Sequence, residues 1–133
     1  MIIEVKNKDI YIPYYGGNRK APEADQIKVH HRFLLPGEYK RYVHTEDLVI
    51  DMEKGTLDNK VKYVQDSEGI VKAIVTKIEN LVIKDGGKKI NVDSADKLYN
   101  TSGVPQSLVS EIESAMLKAS PEVDQDFLSQ PSA

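Results

Sequence analysis

Residues 67–92, SEGIVKAIVTKIENLVIKDGGKKINV, decide how the rest of the chain is read. Ile70, Val71, Ile74, Val75, Ile78 and Leu81 fall at helical intervals, with Asp66 or Ser67 available as N-cap. The residue types pull the other way, because Val and Ile are weak helix formers that suit strands. The spacing predicts a helix running to about Asn80. Beyond it, Leu81, Val82 and Ile83 are separated from Ile90 and Val92 by Asp85, Gly86 and Gly87, a strong hairpin turn. A helix leading into a hairpin makes the chain α+β: a small antiparallel sheet of hairpins, one or two packing helices, and whatever the flanks add.

The flank on the C-terminal side adds the clearest element. Leu108, Val109, Ile112, Ala115, Met116 and Ala119 lie on one stripe of a helix opening near Pro105, with Glu111, Glu113, Ser114 and Lys118 on the other face. Asp93 or Ser94 caps a shorter turn through Lys97, Leu98 and Tyr99. Residues 120–133 are polar and carry Pro121 and Pro131, which reads as a tail behind one domain spanning 1–119. Within that tail Phe127 and Leu128 are adjacent apolar residues in an acidic stretch.

On the N-terminal side, residues 2–6 and 9–12 are β-branched runs split by Asn7, Lys8 and Asp9, the pattern of a hairpin ended by Pro13. Residues 14–26 lose all apolar periodicity and form an exposed loop. Loops longer than about 12 residues are uncommon in compact domains and tend to carry function. This one holds Tyr14, Tyr15, Arg19 and Lys20, and aromatic and arginine side chains are those that anchor protein interfaces. Ile27, Val29, His31 and Phe33 then alternate with Lys28, His30 and Arg32, a strand with one buried and one basic face. Pro36 and Gly37 stop it, residues 38–44 make a short helix or turn, and Leu48, Val49, Ile50 and Met52 form a strand ended by Gly55. Val61, Tyr63 and Val64 form a further one.

Composition narrows the classes. The chain has 133 residues, 40% hydrophobic and 29% charged, enough for one core. The absence of cysteine excludes disulfides and thiolate metal ligands and fits a reducing cytosol. No apolar run approaches the roughly 20 residues that span a bilayer, which predicts a cytoplasmic protein without a membrane partner. Residues 1–45 hold eight Lys/Arg against five Asp/Glu, and the remainder ten against sixteen, giving +3 and −6. Such asymmetry orients a protein against a partner without marking nucleic acid by itself.

Searched for chemistry, the sequence offers materials without an arrangement. His30 and His31 point to opposite faces of a strand and do not share an ion, and His44 stands apart. Asp47, Asp51 and Glu53 are near neighbours, but no apolar pocket or second catalytic group accompanies them. The Asp85–Lys89 run lacks the Walker spacing, and no serine sits in a nucleophile elbow. The expectation is a non-enzymatic protein without metal or cofactor.

Two stretches resemble small morphogenesis proteins of tailed bacteriophages. The first is the strand followed by Phe33, Leu34, Leu35, Pro36, Gly37, Glu38, Tyr39, Lys40 and Arg41. The second is Ile78-Glu79-Asn80-Leu81, the glycine turn, residues 94–98, and the helix through Leu108 to Leu117. The resemblance is one of pattern over about half the chain, and carries no catalytic residue. It implies a virion structural or assembly protein of the head-to-tail or tail apparatus. Its partners would be other phage structural proteins, with a homo-oligomeric ring as one form. A tail assembly chaperone absent from the mature particle is the alternative within that class. Its location would be the host cytoplasm during assembly, or the virion. Candidate contacts are Tyr14, Tyr15, Arg19, Leu117 on the otherwise polar side of the last helix, Phe127 and Leu128. The rival from another class is a nucleic-acid module using Arg19, Lys20, Lys28, His30, Arg32, Lys40 and Arg41, with tyrosines to stack on bases.

Overall fold

A computed structural model describes residues 1–6, 9–47, 61–119 and 122–123. It is a mixed α+β structure in which every strand pairing among the described residues is antiparallel. The order is β1 (Val5–Lys6), β2 (Ile10–Tyr11), two 3-10 segments (Tyr15–Lys20 and Glu23–Asp25), β3 (Lys28–His31), α1 (Pro36–Tyr42), β4 (Val43–Asp47) and β5 (Val61–Gln65). Then come α2 (Ser67–Ile74), β6 (Val75–Glu79), β7 (Val82–Asp85), β8 (Lys88–Asn91), α3 (Ala95–Asn100), α4 (Gln106–Lys118) and β9 (Glu122–Val123).

The decisive stretch is helix and strand in succession rather than one helix to Asn80. Asp66 caps α2 by accepting from the Gly69 amide at 2.9 Å, and Ile70, Val71 and Ile74 are buried on its inner face. At Val75 the chain passes directly into β6, which bonds to β3. Val75 opposes His31 while Lys77 opposes His30, so Thr76 is an extra residue in the ladder, a β-bulge. The bulge lets Val75 and Ile78, three apart, both face the core. Asn80 then takes a left-handed conformation (φ 63°) that brings Leu81 inward as well. A bulge and a left-handed residue thus continue the inward spacing of a helix through a strand.

The centre of the sheet is β2-β3-β6, with Tyr11, Val29 and Ile78 in one cross-strand row. The hairpin within 67–92 is as read: β7 and β8 meet at Gly86 and Gly87, whose φ values of 56° and 87° are those of a tight hairpin turn. α3 begins at its cap, Ser94, whose Oγ accepts from the Lys97 amide at 3.2 Å. Leu108, Val109, Ile112 and Met116 of α4 are buried, and α4 packs against α2. These join Val29, the α2 residues, Val92 and Leu98 in one apolar cluster. Burial of each large aliphatic side chain there contributes about 1.5–3 kcal/mol before entropy is counted.

Other pairings depart from expectation. The N-terminal runs do not form a hairpin with each other: β1 pairs with β9, and β2 pairs with β3. Local turn signals at Asn7–Asp9 lose to a longer-range pairing that sets Tyr11 beside Val29 over the core. For the same reason residues 122–123, read as part of a tail, are a strand. β4 and β5 form a ribbon of their own, so the sheet is divided into one three-stranded and three two-stranded pieces among the described residues. The strand expected over Leu48, Val49, Ile50 and Met52, together with Asp51, Glu53, Phe127 and Leu128, lies outside the described residues.

Candidate functional site

Residues 13–27 are a built loop, and the reason lies in three polar side chains. Asn18 is only 8% exposed. Its Nδ2 donates to the carbonyls of Pro13 (2.9 Å) and Ile27 (3.2 Å), and its Oδ1 accepts from the Ile27 amide (2.7 Å), closing the loop at its base. Gly16 and Gly17, at φ 59° and 72°, supply the left-handed turn that this closure needs. Gln26 Nε2 donates to the carbonyls of Arg19 and Ala21, both at 3.1 Å. Asn80 Nδ2 donates to those of Ala24 and Gln26, both at 2.9 Å. The bend at Asn80 therefore serves both the core and the loop.

A further anchor is Glu111 on α4. Its Oε2 accepts from the Tyr11 hydroxyl and from the Tyr14 amide, each at 2.7 Å, and its Oε1 accepts from the Tyr15 amide at 3.0 Å. Two consecutive amides converging on one carboxylate make a small anion nest that the chain fills itself. Burial, then the hydrogen bond to Glu111 and the charge of Glu111, raise the Tyr11 phenol to about 12.

This frame holds Tyr14, Tyr15 and Arg19 at the surface together. Tyr14 is 64% and Tyr15 38% exposed. The Arg19 guanidinium lies over the Tyr14 ring, 3.5 Å from its centroid, and 5.8 Å from that of Tyr11. Its Nε donates to the Ile12 carbonyl at 2.8 Å. No carboxylate among the described residues pairs with Arg19 or with neighbouring Lys20. The terminal nitrogens of Arg19 are thus presented by a side chain already fixed through stacking and one hydrogen bond.

The strand expected to offer a basic face is different. Lys28 lies 3.6 Å from Glu23, and His30 lies 2.9 Å from Glu79, which also takes Lys77 at 3.1 Å. Arg32 donates through both terminal nitrogens to the two oxygens of Glu38, at 2.6 and 2.7 Å. The Arg32 bond, followed by the Leu35 amide, holds Glu38 down at about 2, and bonds from His30 and Lys77 do the same for Glu79. A phosphate would have to displace these carboxylates. The expected cations are therefore not brought together: Lys28, His30 and Arg32 each face a carboxylate, Lys40 and Arg41 lie on α1, and Arg19 and Lys20 belong to the loop.

The remaining expected positions resolve as follows. Leu117 is partly buried, packed against the apolar cluster. His31 is buried edge-on against Phe33, with ring centroids 5.3 Å apart, on the face opposite His30. A shallow cleft of about 340 Å³ opens beside it, between Ile10, Tyr11 and the Ala115–Ala119 end of α4. Among the described residues no group of three or more His, Asp or Glu side chains is placed to hold a metal. Also among them, no helix is long and apolar enough to cross a membrane.

Sequence reading missed Asn18, Asn80 and Glu111. Glu111 left one signal: it lies three residues after Leu108 and four before Ala115, on the border of the apolar stripe, where a carboxylate reaches a neighbouring element. No family model, curated protein or solved structure matches this chain.

Proposed function

We propose that this chain is a non-enzymatic protein-binding module, a phage virion structural or assembly protein that acts by contact through the loop carrying Tyr14, Tyr15 and Arg19. The observation that carries the reading is the Arg19 guanidinium stacked 3.5 Å above an exposed tyrosine, with no carboxylate among the described residues to pair with it. Tyrosine and arginine side chains fixed before binding lose little entropy when a partner arrives, which suits an interface anchor. The bacteriophage setting rests on the sequence resemblance alone. On this reading the protein acts in the host cytoplasm during assembly, either remaining in the particle or leaving before maturation as a chaperone does.

The test is a capture experiment with tagged full-length protein at moderate salt, read by mass spectrometry, beside a Tyr14→Ala/Arg19→Ala chain. Capsid, connector or tail proteins recovered by the first and lost by the second are expected. Equal recovery by both, or recovery of nucleic acid in their place, refutes the reading. Protein analysis of purified particles then separates a structural component from a chaperone.

A further inference from the structure

We infer that the Tyr14–Arg19 face receives the acidic segment 124–128 of a second copy of this chain, so that copies associate head to tail. This rests on the reading of that face as a contact surface and names its occupant. The stacked guanidinium leaves its terminal nitrogens to solvent, and Lys20 beside it is equally without a carboxylate among the described residues. A planar, fixed guanidinium is a receptor for a carboxylate, which it takes through two parallel hydrogen bonds. The chain carries the complementary group: residues 122–133, EVDQDFLSQPSA, hold three acidic residues and no basic one. Asp124 and Asp126 closely precede Phe127 and Leu128, so an ionic contact to Arg19 brings apolar side chains to the exposed Tyr14 and Tyr15. A basic face and an acidic segment attract between copies, and like charges repel when two such faces or two such segments meet.

Charge reversal decides it. Sedimentation of the full chain is measured over a concentration series for the wild type, Arg19→Glu, Asp124→Lys/Asp126→Lys, and an equimolar mixture of the two variants. The expected result is wild-type self-association, weakened about tenfold or more in each variant alone, since like charges then face each other. In the mixture the reversed face of the Arg19→Glu chain meets the reversed segment of the other variant, and the unaltered face meets the unaltered acidic segment. Association then returns, which also proves both variants folded. A monomeric wild type, variants that associate as the wild type does, or a mixture that stays dissociated would each overturn the inference. A monomeric wild type would include the case of the segment folding onto its own chain. The broader reading fails separately, when the Tyr14→Ala/Arg19→Ala chain captures the same partners as the wild type.

Discussion

Replacing Glu111 by alanine removes the acceptor of three hydrogen bonds, those from the Tyr11 hydroxyl and the Tyr14 and Tyr15 amides. A bond to an ionised acceptor is worth about 1.5–3 kcal/mol when withdrawn from water. The Tyr11 bond is half-buried and falls near the lower part of that range. The two amide bonds are exposed, so water replaces most of each, leaving about 0.5 kcal/mol apiece. The expected loss is about 2–3 kcal/mol in urea unfolding, or roughly 10 °C in Tm for a domain of this size. Glu111→Gln keeps one acceptor oxygen but turns an amide N–H toward a donor, and loses about 1 kcal/mol. Hydrogen exchange of the amides of residues 14–20 accelerates in the alanine variant, and the Tyr11 phenol falls from about 12 without reaching 10, because burial, its larger cause, remains. Stability within about 0.5 kcal/mol of wild type, the scatter of ordinary surface substitutions, would refute the argument that Glu111 holds the loop. Unchanged exchange of those amides would refute it equally.

Two further predictions concern pH. Glu38 and Glu79 are held at about 2 in the folded chain, below the ordinary carboxylate value, so the unfolded chain binds more protons through that window. Stability is therefore full above the ordinary value and declines as pH falls toward 2. Denaturation midpoints of Glu38→Gln and Glu79→Gln should show a flatter acid limb than wild type, and an unchanged slope would count against both pairings. At the other end, Tyr99 is raised by burial and then by its 2.8 Å hydrogen bond to Glu113, and Tyr11 is raised alongside it. The folded chain then holds protons that the unfolded chain releases above pH 10, so stability falls as pH rises. Tyr99→Phe should cost about 1 kcal/mol at neutral pH yet give a shallower alkaline limb, and equal limbs would contradict the assignment.

How far the fold was legible depends on whether each signal was local. The Gly86–Gly87 hairpin, the Ser94 cap and the α4 stripe are written in neighbouring residues and were readable. β6 was misread because a bulge at Thr76 and the left-handed Asn80 reproduce helical spacing inside extended chain. The partners of β1 and β2 were not readable, since Val5 meets Val123 across the whole sequence and nothing near either residue announces it. The same holds for the candidate site. Tyr14, Tyr15 and Arg19 stood out by residue type, whereas the carboxylates that Lys28, His30 and Arg32 meet are Glu23, Glu79 and Glu38, two of them close in sequence and one far. Glu111 reaches back about a hundred residues to fix the loop.

The direct passage from Ile74 of α2 into Val75 of β6 bears on which changes of length the gene tolerates. No connecting residue absorbs a phase error there. One inserted residue would turn the helix by about 100° if taken up on its side, or exchange the inner and outer faces of the strand if taken up on the other. Either outcome drives Ile70 or Ile78 out of the core, both of which are at most 2% exposed. At Gly86–Gly87, where the flanking side chains are in water, an inserted residue meets no such penalty. Length variation in this lineage should accumulate at the glycine turn and be purged at the helix–strand junction, which makes residues 67–79 an indivisible unit of inheritance.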